Sequence, residues 1–272
     1  MNSSSFHHSS SFKNIVLCAD DYGLSADINE GILSLLELQR LSAVSCMTCL
    51  PDWKLKAEAL QSFKNQAAIG LHFNLTESAS AQPLGRIMQQ SLTARINLQW
   101  VQSEINQQLD DFEAQFNDVP DFIDGHQHVH VFPGIRCVVM EVLEKRYPNK
   151  KIWLRRVHPS FSGHDSFVKA LALRIMSYGF VSQAYKKQLP ITQAFAGLYS
   201  LNAEADFPAL LHEWMDQIAN GGLIMCHPGQ ADAGSSGLAL TRQREFNYLK
   251  SNLFAERLEQ QRVKLSATPS FY

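Results

Sequence analysis

Short apolar runs, each followed by a stretch whose hydrophobic residues recur every three to four positions, alternate along the whole of this chain. The runs fall at residues 15–19, 43–49, 68–73, 121–126, 151–157, 190–196, 222–227 and 263–267. Between them, sets such as Ile28, Ile32, Leu35 and Leu36, or Phe207, Leu210, Leu211, Trp214 and Ile218, mark one face of a helix. No Pro/Gly-rich linker interrupts the alternation, so one α/β domain is expected. About eight βα units in 272 residues fit a single-domain (β/α) barrel, regular or deformed, better than an open doubly wound sheet. The barrel is assigned to residues 13–272, and the serine-rich residues 1–12 read as a disordered N-terminal tail. Residues 77–98 hold proline, glycine and several polar residues with weak periodicity. They read as an irregular segment, either a mobile rim over a site or a plain surface insertion.

Composition narrows the partners. A formal net charge of −2, with 18% charged residues and no block of like charge, offers no attraction to nucleic acid or to an anionic membrane. No apolar run approaches the ~18 residues that a membrane span requires. The tail lacks a basic region followed by an apolar one, so a cytoplasmic protein is expected. The five cysteines are an odd number in a chain too long to need disulfide staples, and they read as reduced thiols. Cys46 and Cys49 form a CxxC inside an apolar run with no second CxxC, which favours core packing over zinc or redox chemistry. A homodimer is compatible with this composition but not specified by it.

The chemistry-bearing residues gather at the ends of the predicted strands. Asp20 and Asp21 end the first, His72 the third, Arg155 and Arg156 close the fifth, and His227 ends the seventh. The fourth runs into Asp124-Gly125-His126-Gln127-His128-Val129-His130, three imidazoles and a carboxylate within seven residues. In an extended strand His126, His128 and His130 share a face, and in a helix only His126 and His130 do. Either way two imidazoles converge, and a divalent-metal site then needs a further ligand from elsewhere. In a parallel barrel every strand ends on one rim, where these residues would meet. Adjacent Asp20 and Asp21 are expected to point apart on extended backbone, one toward a cation and one toward a water. A cation held by one carboxylate and two imidazoles, a free carboxylate as base and a distant histidine as acid together describe metal-assisted hydrolysis.

Four ordered motifs carry a resemblance. Ala19-Asp20-Asp21-Tyr22-Gly23-Leu24-Ser25, Gly70-Leu71-His72-Phe73-Asn74-Leu75-Thr76, the histidine cluster with Phe132-Pro133, and Cys226-His227-Pro228-Gly229 resemble the YdjC/ChbG carbohydrate deacetylase family. The resemblance runs from about residue 14 to residue 265. It implies a deformed barrel related to polysaccharide deacetylases, one divalent metal ion (Mg²⁺ or Zn²⁺), and removal of N-acetyl groups from an amino sugar or chitooligosaccharide. By motif, Asp21, His72 and His126 resemble the metal ligands, Asp20 the base that activates water at the metal, and His227 the acid that protonates the leaving amine. His130 is either a weaker ligand or a supporting partner, and His128 a supporting one; Arg155 and Arg156 stand as candidates for the same shell or for substrate contact. Tyr22 stands where the family often has phenylalanine and is expected to add a hydroxyl at the rim. Residues 160–189 match weakly, which leaves the sugar unspecified. The competing readings are hydrolysis of another amide or of a phosphoester, and a non-catalytic sugar-binding protein.

Overall fold

The structure, a computed structural model, describes residues 12–159, 166–202, 204–231 and 237–272. The expected tail therefore lies outside the described residues except for Phe12. In chain order the elements are β1 (Lys13–Tyr22), α1 (Ala26–Glu37), β2 (Ala43–Cys46), α2 (Pro51–Lys56), β3 (Ala68–Phe73), α3 (Leu84–Leu92), α4 (Leu98–Phe116), β4 (Phe122–Gly125), α5 (Ile135–Arg146), β5 (Trp153–Leu154), α6 (Phe167–Met176), α7 (Phe180–Lys186), β6 (Phe195–Ala196), α8 (Phe207–Gln217), β7 (Gly222–Cys226), α9 (Leu238–Lys250), α10 (Asn252–Gln260) and β8 (Val263–Leu265).

The strands pair in the order β5-β4-β3-β2-β1-β7-β6, all parallel, and β8 adds to the first residues of β1. The two outer strands approach each other. Leu154 of β5 bridges Ile191, with Leu154 N–H on the Pro190 carbonyl at 2.8 Å and Thr192 N–H on the Leu154 carbonyl at 3.1 Å. The sheet is thus a deformed (β/α) barrel, strong through β1, β2, β3 and β7 and barely joined between β5 and β6. The expected strands at 151–157 and 190–196 shrink to two paired residues each for this reason.

Helices cover the outside, so the central strands are buried on both faces, and β3, β4 and β7 carry no exposed residue. Ser25 caps α1 by accepting the Ile28 N–H, and Ile28, Ile32, Leu35 and Leu36 then face the sheet. Asn97 caps α4 in the same way, Val101, Ile105, Leu109, Phe112 and Phe116 are buried, and Asn117 ends the helix in the left-handed conformation. The segment at 77–98 is not irregular throughout: it contains α3, held by buried Ile87. Tyr22 does not reach the rim. It is buried edge-on to Trp53 and donates its hydroxyl to the Lys56 carbonyl at 2.8 Å.

Candidate active site

The end of β1 aims two adjacent carboxylates into one place. From Ala19 to Tyr22 the strand takes three steps while β2 takes two, from Val44 to Cys46, so β1 bulges here. Asp21 sits at φ 71° and Gly23 at φ 95°, backbone that turns the chain back toward the barrel mouth. The expectation that Asp20 and Asp21 point apart assumed extended backbone. Instead both line one cavity, of about 540 Å³, with His72, His126, His128 and His227.

The histidine cluster is neither a strand nor an α-helix: His126–Val131 forms a short 3-10 segment broken by a kink. After Gly125, Gln127 and His128 both adopt left-handed backbone, with φ 51° and 61°. That turn sends the three imidazoles different ways. His126 reaches Asp21, Nδ1 to Oδ1 3.0 Å. His128 lies on the cavity wall, edge-on to Phe195. His130 folds back into the core, where Nε2 contacts the Arg155 carbonyl at 2.9 Å and the ring packs edge-on to Phe180. A side chain at Gly125 would meet the His130 backbone and ring at 3.0 Å, which is why the turn needs glycine there. His130 is thus held against the Arg155 backbone and does not line the cavity.

Asp21, His72 and His126 present donor atoms that all lie within 4.8 Å of one another. His72 brings Nε2 to 3.3 Å from Asp21 Oδ1, while its Nδ1 is held by Asp124 at 2.6 Å and by the Ser45 hydroxyl at 2.9 Å. Asp124 is fully buried, and a carboxylate behind an imidazole fixes its orientation as outer partners do in metal sites. One oxygen and two nitrogens in this arrangement fit a divalent cation of the borderline kind, and the remaining positions face the cavity. A second group, Cys18, Asp20 and Asp124, also converges. Arg155 already fills it: its guanidinium grips Asp20 with two contacts of 2.7 and 2.6 Å, reaches Asp124, and meets Cys18 Sγ at 3.0 Å. Those groups are matched to a guanidinium and have no place for an ion.

Electrostatics sort the titratable groups. Burial alone would push the Asp20 carboxyl up, but Arg155, with His72 and His227, holds it well below the usual range. For Asp21 burial is again overcome, by His126 and then by Arg242, whose guanidinium bonds Asp21 Oδ2. His72 resists burial because Asp124 and Asp20 face it, and is pushed up to about 10. A cation at Asp21 would displace that proton. Burial pushes His227 down to about 4 against the pull of Asp20 and Asp21, so its ring is neutral near pH 7. Its Nε2 lies 4.0 Å from Asp20 Oδ2.

Of the residues picked out from sequence, Asp20, Asp21, His72, His126, His128 and His227 come together, and Arg155 lies directly beneath them. Arg156 does not. Its guanidinium points outward to the Gln193 carbonyl and the Tyr272 hydroxyl, because successive residues leaving β5 face opposite ways. Three contributors were missed: Ser45, Arg242 and Glu245. Arg242 and Glu245 are buried one turn apart on α9, and Tyr199 lines the cavity. A charged pair at i, i+3 beside Phe246 and Leu249 was the available signal. Above the floor the wall is mostly apolar, with Leu84 and Met88 from α3, Leu173 from α6, and Leu198 and Leu238, and carries Glu77 and Lys169 besides.

Fold and site together define a class: deformed (β/α) barrels whose strand ends gather carboxylates and histidines in one mouth. Within it the chain belongs to the family described as YdjC-like protein, whose model matches residues 14–260. It is 27% identical over 271 residues to the chitooligosaccharide deacetylase of Yersinia pestis (strain Pestoides F), covering 94% of this chain and 98% of that one. With the chitooligosaccharide deacetylase of Proteus mirabilis (strain HI4320) it shares 31% identity over 144 residues, 48% of this chain and 56% of the relative. A solved structure from Enterococcus faecalis V583, described as a cellobiose-phosphate cleavage protein, superposes with a TM-score of 0.70 at 20% identity over 94% of this chain and 97% of that one. That likeness is one of fold. No described helix is long and apolar enough to cross a membrane.

Proposed function

We propose that this protein hydrolyses the N-acetyl amide of an amino sugar or short chitooligosaccharide, with one divalent cation held by Asp21, His72 and His126. The observation that carries this reading is the meeting of those three donors with Asp20 and His227 at the floor of a single cavity. The relatives' names supply the amide and the sugar. Such a cation would polarise the acetyl carbonyl as a Lewis acid.

The chain's own residues divide the proton work. Asp20 is ionised at every working pH because Arg155 stabilises the carboxylate. That makes it a weak resting base that does not keep a proton. It accepts one from the attacking water as the carbon–oxygen bond forms. His227, neutral at rest and 4.0 Å from Asp20, is placed to receive that proton and deliver it to the departing nitrogen. A histidine charged from the start is not required. His128, on the cavity wall, serves as a donor or acceptor for substrate hydroxyls.

The test is acetate release from N-acetylglucosamine oligomers, with and without chelator. Chelator-sensitive release supports the reading; a fully zinc-loaded protein that releases no acetate from any of them sinks it.

A further inference from the structure

The geometry points to Glu245 as a positioning residue for His227 and Tyr199, joining the loops that follow β6 and β7 to α9; this rests on the reaction proposed above. Glu245 is fully buried on α9. One carboxylate oxygen accepts the Tyr199 hydroxyl and the other accepts the His227 backbone N–H at 2.5 Å. Both partners line the cavity, while Glu245 does not. One turn earlier on the same helix, Arg242 bonds Asp21 and lies 3.5 Å from the His227 carbonyl. A single turn of α9 therefore fixes His227 at both its backbone N–H and C=O.

This anchoring answers a need the imidazole itself leaves open. Among the described residues His227 Nδ1 is buried without a hydrogen-bond partner, so no carboxylate behind the ring sets its direction. The ring is aimed through its backbone instead. A main-chain bond to a carboxylate is charge-assisted and shorter than a neutral one, which suits Glu245 to hold the loop once it ionises, above about pH 7. Tyr199 spends its hydroxyl on Glu245, so it meets substrate as an apolar ring face and not as a donor. Glu245 touches neither substrate nor cation and acts only through these two residues.

The experiment compares Glu245→Ala, Glu245→Gln and Tyr199→Phe in the zinc-loaded protein, with N,N′-diacetylchitobiose as substrate. Loss of the anchor in Glu245→Ala is expected to lower kcat by roughly 10²-fold, the scale for a misplacement of about 1 Å, with zinc affinity unchanged and any rise in KM matched by Tyr199→Phe, which frees the same ring. Glu245→Gln, whose amide oxygen still accepts the His227 N–H, should recover most of that loss. The ¹⁵N-labelled His227 amide proton should move upfield in both Glu245 variants, further in Ala than in Gln. Tyr199→Phe should leave that resonance in place. Wild-type kcat in Glu245→Ala, an unshifted His227 amide, or a Gln variant as impaired as Ala would each overturn the assignment. If the Ala variant fails to fold, the Gln variant's amide shift and retained kcat decide the matter. A wild-type protein that releases no acetate would remove the proposed reaction, while the amide shift would still test the anchoring.

Discussion

Arg155→Met removes the guanidinium shared by two buried carboxylates, Asp20 and Asp124. Arg155 is fully buried and 135 residues from Asp20, and its guanidinium holds Asp20 with two contacts and Asp124 with a third. Methionine fills much of the volume but leaves Asp20 and Asp124 to the His72 and His227 imidazoles and the Ser45 hydroxyl as partners. Breaking a buried pair from one side costs roughly 3–5 kcal/mol. At about 4 kcal/mol, and roughly 3 °C per kcal/mol for a domain near this size, Tm should fall by about 12 °C. The sign of the pH dependence follows from Asp20. In the wild type its folded pKa lies below the unfolded value, so its contribution is present above about pH 4 and lost as pH falls through that region. In the variant burial acts on Asp20 without Arg155, its folded pKa rises above the unfolded value, and stability falls as pH increases. The deficit against wild type should therefore widen from pH 5 to pH 8. Thermal melts followed by far-UV circular dichroism, in chelator, measure it. A variant melting within 2–3 °C of wild type at pH 8, or an equal deficit at both pH values, would refute the reasoning. Arg155→Lys should restore part of the stability only, since an ammonium cannot reproduce the two-pronged contact.

The two acids separate by readout: Asp20→Asn should keep zinc affinity and lose roughly 10²–10⁴-fold in turnover, whereas Asp21→Asn should lose the cation first. Equal loss of zinc in both, by calorimetric titration, would mean the pair is divided wrongly. His126→Ala should remove zinc and activity together, while His128→Ala should leave zinc binding intact and raise KM; a His128 variant that loses zinc would place that residue among the ligands. Burial pushes Glu245 up to about 7, so folding loses stability as pH rises from about 4.5 through 7, and Glu245→Gln should match wild type near pH 4 yet exceed it at pH 8. The gain should be at most about 3.5 kcal/mol, from roughly 1.4 kcal/mol per pKa unit, and parallel stability–pH curves for the two proteins would count against it.

What sequence could reach depended on whether the signal was local. β1, β3 and β7 are apolar on both faces and are contiguous in sequence, so their existence and type could be read directly. β5 and β6 could not be bounded, because only two residues of each pair and the remainder of each run is held by isolated bridges. α3 escaped notice although Leu84, Ile87 and Met88 share one face at i, i+3 and i+4, because it is only nine residues long and lies in a segment holding proline, glycine and several polar residues. The same division applies to the site. Strand-end residues were legible because the barrel collects them on one rim whatever their detailed conformation.

Backbone turns and long-range partners were not legible, and they decide the chemistry. Left-handed Asp21 brings two carboxylates together that alternation would separate, and left-handed Gln127 and His128 split a cluster that a strand would have kept on one face. Arg155 and Arg156 are indistinguishable as letters. Only the phase of β5 sends the first to Asp20 and the second to Tyr272 at the surface. Arg242 meets Asp21 across 221 residues, a contact no spacing rule encodes. What the sequence did hold was the oddity that α9 keeps Arg and Glu on the face it buries with Phe246 and Leu249. A charged residue on a helix's inward face must find a partner there, and for α9 those partners are the ends of β1 and β7 and the loop after β6, which is how a helix outside the sheet comes to set the geometry of the barrel mouth.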